Sequence, residues 1–143
     1  MLIGGIIGSE AARHRMDILG LLLRILPYYL LTVTIETPVL VLGLSRRHSL
    51  KRRIFAGFWL TACTYPFVTV VFPYFLDPAH ARLIYVAVSE TFAPVAECLL
   101  FWLAFGTREE LGRRSMWRDF LAITLANLLS FTTGELLKLA RLI

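Results

Sequence analysis

The sequence predicts an all-α, polytopic membrane protein with four transmembrane helices, and three observations carry that prediction. Of its 143 residues, 57% are hydrophobic and the mean hydropathy is +0.69, more apolar surface than a soluble domain of this size could bury. The apolar residues are gathered into successive runs, each able to supply the ~20 residues that cross a hydrocarbon core. Between the runs stand short clusters of arginine and lysine, the usual flanks of such spans.

The spans fall at about 22–44, 54–76, 83–105 and 117–137, within a single membrane domain covering 1–143. Residues 1–20 begin apolar but are interrupted by charge from Glu10 to Asp17 and have no basic stretch ahead of them. They read as a short interfacial segment leading into the first span, not as a cleaved signal peptide. Tyr28, Tyr29, Tyr74, Phe75, Tyr85 and Trp117 lie near the expected boundaries, where amphipathic rings prefer to sit.

The basic residues set an orientation. Arg46, Arg47, Lys51, Arg52 and Arg53 crowd the first loop, 45–53, and Arg108, Arg113, Arg114 and Arg118 flank the third, 106–116. The second loop holds one arginine, Arg82, beside the turn-forming Asp77-Pro78. The excess of positive charge places loops one and three in the cytoplasm of a cell membrane, with both termini outside. A net charge of +5 in a soluble protein would suggest nucleic acid. Here the cations border apolar runs, so the first-loop set is read as contacting anionic lipid headgroups or a partner protein, and no nucleic acid is expected.

The two halves echo one another. Each has a glutamate in its first helix (Glu36, Glu97), then a basic loop, then polar residues three apart in its second helix. In this register Thr61 matches Asn127, Thr64 matches Ser130 and Tyr65 matches Phe131. Two similar helical hairpins, related about an axis normal to the membrane, are therefore expected.

Three carboxylates are read as lying at depth within the spans: Glu36, Glu90 and Glu97. At ~1.5 Å rise per residue, Glu36 and Glu97 lie about 10–15 Å from the cytoplasmic boundary, and Glu90 shares the face of Glu97 two turns away. An ionised carboxylate facing lipid costs several kcal/mol, so these side chains must face inward, be protonated or find partners. Arg24, near the outer end of the first span, is the arginine nearest to a partner for them, and it can extend outward to the interface. Thr61 with Thr64, and Asn127 with Ser130, each occupy one helix face at the depth of the acids. The layer is rich in oxygen and suits a proton or a hard cation, with Glu36, Glu90, Glu97, Asn127 and Thr61 as the binding set. Pro38, Pro66 and Pro94 are expected to interrupt three helices, each withholding the hydrogen bond that the carbonyl of Thr34, Ala62 or Glu90 would otherwise accept.

Other chemistry finds little support. His14, His48 and His80 lie outside the spans, so haem or buried zinc has no ligands at depth and no metal site is expected. Cys63 and Cys98 read as small core residues without metal-binding or disulfide spacing. No nucleophile with its base can be named, and no cofactor is indicated. Two functions remain: proton or cation binding linked to transport, or a non-catalytic structural or accessory subunit of a larger membrane complex. Four helices leave little room for a closed pathway, so a homo-oligomer or association with other membrane subunits is expected.

Overall fold

The computed structural model describes residues 3–106 and 114–142, with side chains from Leu19 onward. The third loop, expected over 106–116, lies mostly outside the described residues. Four helices follow one another: α1, Ile3–Gly43; α2, Leu50–Phe75; α3, Arg82–Phe105; and α4, Arg114–Leu139. The expected interfacial segment, 1–20, falls within α1 from Ile3 on. The parts long and apolar enough to cross a membrane are Leu19–Gly43, α2, α3 and α4, with 24 to 26 residues each. At ~1.5 Å per residue these lengths exceed the ~30 Å of a hydrocarbon core. The expected spans agree with these bounds to within four residues.

The chain forms two compact units, Met1–Leu30 and Leu31–Ile143. The first is the amino-terminal part of α1, on which Leu21, Leu22, Leu23 and Leu26 are all exposed. The packed bundle and its polar clusters belong to the second unit.

Large apolar side chains such as Leu42, Tyr74, Leu83 and Leu103 are also left outside, as a surface solvated by lipid requires and a water-soluble surface does not tolerate. The interior is one apolar cluster of Leu40, Leu44, Ala56, Leu60, Phe101, Ala122, Ile123 and Ala126. Small residues bring the helices close. A Cβ on Gly57 would meet Thr37 Oγ1 at 2.5 Å, and one on Gly43 would meet the Ala122 Cβ at 2.7 Å. Close backbone approach of this kind is how membrane helices gain packing energy where no hydrophobic drive exists between them.

Local chemistry sets the element ends. Ser49 is extended (φ −60°, ψ 155°) and its hydroxyl caps the first turn of α2 at the Arg52 N–H, 3.4 Å away. Because that cap starts the helix at Leu50, Lys51, Arg52 and Arg53 stand on α2 and not in the first loop where the charge pattern put them. The carboxyl end of α1 leaves carbonyls without helical donors. Arg53 donates to the Val41 carbonyl at 2.9 Å, and Arg118 to that of Gly43 at 3.0 Å, placing positive charge at the negative end of the helix dipole. Between α2 and α3, the Asp77 carboxylate accepts from the Ala79 N–H at 2.9 Å and pairs with His80 at 2.6 Å, an Asx turn. Both bonds favour the charged form and hold the Asp77 carboxyl below its usual value.

The prolines do not break the helices as expected. Helices α1 and α3 run through Pro38 and Pro94, because one missing hydrogen bond is tolerated when its neighbours remain. Only Pro66 has a visible effect. After it, α2 widens into a π-helical segment, Phe67–Val71, before returning to α-helix at Phe72–Phe75. There the Tyr85 hydroxyl of α3 donates to the Val68 carbonyl at 3.0 Å.

Candidate functional site

Glu36 and Glu97 are each only 2% exposed, at one level of the bundle. Their partners come from other helices. Thr61 of α2 donates to Glu36 Oε2 and Ser130 of α4 to Glu36 Oε1, both at 2.7 Å. Thr64 of α2 donates to Glu97 Oε1 at 2.8 Å and Asn127 of α4 to Glu97 Oε2 at 2.7 Å. Each carboxylate thus ties its own helix to α2 and α4. No ion pair reaches either acid among the described residues, and the two are near enough for their charges to interact.

The two sites are related by the internal repeat. Exchanging Glu36 with Glu97, Thr61 with Asn127 and Thr64 with Ser130 converts each set of hydrogen bonds into the other. Burial follows the same register. Leu40 and Phe101, four residues beyond their glutamates, are both 1% exposed. Ala56 and Ala122, five residues before Thr61 and Asn127, are both buried, as are Leu60 and Ala126 one residue before them. The hairpin α1–α2 and the hairpin α3–α4 therefore build one pattern twice, and each site takes a donor from both.

The proton count in these sites is informative. A hydroxyl has one hydrogen, yet three hydroxyls here have two acceptors apiece. Thr61 reaches the Gly57 carbonyl at 2.8 Å as well as Glu36. Ser130 reaches the Asn127 carbonyl at 2.9 Å as well as Glu36, and Thr64 reaches the Leu60 carbonyl at 3.1 Å as well as Glu97. With the acid ionised, every hydroxyl turns to the carboxylate. With the acid protonated, its O–H donates to one hydroxyl, which turns to its own helix carbonyl. Asn127 has two N–H groups and serves Glu97 and the Ile123 carbonyl, 3.1 Å away, in both states. Neither state strands a buried polar group, the usual cost of adding or removing charge inside a protein.

Glu90 stands apart. It is half-buried on α3, two turns before Glu97, and joins neither set of hydrogen bonds. Of the binding set read from the sequence, Glu36, Glu97, Thr61 and Asn127 are brought together, along with Thr64 and Ser130. The five basic residues of the first-loop set divide: Arg46, Lys51 and Arg52 are exposed, whereas Arg47 and Arg53 are partly buried in internal contacts.

A second polar cluster goes beyond the sequence expectations. Asp119 of α4 is 0% exposed, yet it lies at the basic end of the bundle, by the loop 44–49. It accepts from the Ser45 N–H, from the Ser45 hydroxyl at 3.0 Å and from Arg47 at 2.9 Å, and contacts His48 Nε2 at 3.2 Å. Arg47 Nε also lies 3.1 Å from Ser45 Oγ and 3.0 Å from His48 Nε2. The assignment that gives each proton one acceptor has neutral His48 donating from Nε2 to Asp119, and Arg47 Nε donating to Ser45. His48 packs edge-on against Phe101, with ring centroids 5.1 Å apart. Burial disfavours the imidazolium and lowers the His48 pKa, opposed by Asp119. Asp119 falls inside the expected fourth span, so an acid at depth was the available signal. It stands two residues from the span's start and was not among the acids the sequence reading singled out.

Fold and site together define a class: a four-helix membrane bundle, internally repeated, with paired carboxylates buried among neutral donors. No family model, curated protein sequence or solved structure matches this chain.

Proposed function

We propose that the Glu36 and Glu97 sites bind and release protons as part of transport across the membrane. The observation that supports this most is that each buried acid has donors able to satisfy it whether charged or neutral. A hard cation is less well served, because each carboxylate oxygen already faces a hydrogen-bond donor and a cation needs oxygens turned toward it. Thr61, Ser130, Thr64 and Asn127 are the groups that reorient or hold as the proton comes and goes. The orientation that suits the charge pattern has the loop 45–53 and the loop 106–116 in the cytoplasm of a cell membrane, both termini outside, and Arg46, Lys51 and Arg52 against anionic headgroups or a partner. Assembly with further copies or other membrane subunits would complete the pathway.

An accessory-subunit reading is favoured by one feature: each acid bridges its own helix to two others, as a purely structural staple would. Purified protein in liposomes separates the two. Under an imposed membrane potential, proton transport predicts a flux that Glu36→Gln and Glu97→Gln abolish while the protein remains folded. An unmodified protein that carries no flux, and that is isolated from its native membrane only within a larger complex, supports the accessory role instead.

A further inference from the structure

The packing around the acid pair differs sharply between its two ends. Toward the basic end, from the edge of the acid layer at Leu60 to two turns beyond it, Leu40, Leu44, Leu60, Phe101 and Ile123 are all 0–1% exposed and close the bundle with apolar side chains. Behind them His48 caps Phe101, and Asp119 holds the first loop onto α4 through Ser45, Arg47 and His48. Toward the opposite end, which carries the turn 76–81, the picture reverses. Among the described residues, Val33 on α1 and Ser89 on α3 are the fully buried residues beyond the acid layer in that direction.

Ionisable side chains continue in that direction. Glu90 projects from the face of α3 that carries Glu97, about 10 Å nearer the turn end. It lies within electrostatic reach of Glu36 on α1 and of Glu135 and Lys138 on α4, and Tyr85 is its neighbour on α3. Glu135 is paired at that surface with Arg82 at 2.6 Å and Lys138 at 3.0 Å, cations that are 65% and 55% exposed. The order from solvent inward is Arg82–Glu135–Lys138, then Glu90, then Glu36 and Glu97.

We infer that the acid pair is reached by protons from the turn end through Glu90, while the Leu40–Phe101 plug, latched by Asp119, shuts it from the basic end. This rests on the proton-binding reading and deepens it by giving that site a side. Glu90 acts as a relay: it takes a proton from the exposed Glu135 end and passes it inward, with no net chemical change. Moving a proton in the other direction then requires the plug to open, which breaks the Asp119 contacts first.

The test is the rate at which the buried carboxyls follow a pH jump, read from the protonated-carboxyl infrared band of the full chain in liposomes. Glu90→Gln is expected to slow that response at least about ten-fold with little loss of the amplitude due to Glu36 and Glu97, as removal of a proton-transfer group should. Glu90→Asp keeps an ionisable group and should stay close to the wild-type rate, which separates loss of the relay from a folding defect. Adding Asp119→Asn to Glu90→Gln should recover part of the rate by loosening the latch. A Glu90→Gln protein that responds at the wild-type rate overturns the inference and leaves proton binding standing. A wild-type protein whose carboxyl band ignores pH removes both.

Discussion

Gly57→Ala is the substitution whose cost is most directly worked from the structure. The new methyl would sit 2.5 Å from Thr37 Oγ1, 2.9 Å from Thr37 Cα and 3.0 Å from Thr37 Cβ, where ordinary contact begins near 3.4 Å. The hydroxyl can rotate away but the backbone cannot, so α1 and α2 must separate by roughly half an ångström. Overpacking of this kind typically costs about 1–3 kcal/mol, against which alanine's better helix propensity returns less than about 1 kcal/mol. The shift also strikes the site, because Thr37 follows Glu36 and the Gly57 carbonyl is an alternative acceptor for Thr61. Gly134→Ala is the control: nothing lies within 4 Å of the place its methyl would take, and the helix interior gains from the change. Equilibrium unfolding in mixed detergent should show Gly57→Ala destabilised by about 1–3 kcal/mol and Gly134→Ala unchanged or up to about 1 kcal/mol more stable. Thr37→Ala should restore part of the Gly57→Ala loss, since it removes the clash with the hydroxyl and leaves the one with the α1 backbone. Equal stability of the two glycine variants would refute the close α1–α2 approach.

Two further outcomes concern the basic end. Because burial lowers the His48 pKa, the unfolded chain binds the proton more tightly than the fold does; stability is fully present above the ordinary value of 6.5 and declines as pH falls below it. Melting temperature measured between about pH 8 and pH 5 should therefore fall with acidification (a window set by the flanks of that ordinary value), and His48→Gln should flatten the slope. Asp119→Ala takes their carboxylate partner from Arg47 and the Ser45 N–H. Loss of one partner from a buried pair costs roughly 3–5 kcal/mol, and since the Arg47 side chain is 21% exposed the lower figure is expected in the same unfolding assay.

Much of this architecture was legible in the residues. Span positions follow from apolar length, which the bilayer imposes directly, and the hairpin repeat was visible in the spacing of Glu36, Thr61 and Thr64 against Glu97, Asn127 and Ser130. What the spacing could not supply was the pairing across helices. That Ser130 joins Glu36, and Thr64 joins Glu97, depends on helix rotation and on the close approach at Gly57 and Gly43. Pro38 and Pro94 misled because a missing donor counts as a break only if the neighbouring bonds fail too. Asp119 was hidden for a different reason. A carboxylate near a helix start ordinarily faces solvent, and its burial here comes from a loop that folds back to supply Ser45, Arg47 and His48. Arg47 and Arg53 belong to the same lesson: charge counting located the basic cluster, but not which of its members turn inward.

At the centre stand two buried acids that accept or lose a proton without stranding their neighbours. Infrared titration of the protonated-carboxyl band in liposomes tests this most directly, with Glu36→Gln, Glu97→Gln and the double variant beside the wild type. The expected result is a reversible, pH-dependent band in the wild type, reduced in each single variant and reduced further in the double variant, with all four proteins folded. A band that is the same in the wild type and the double variant at every pH would contradict it.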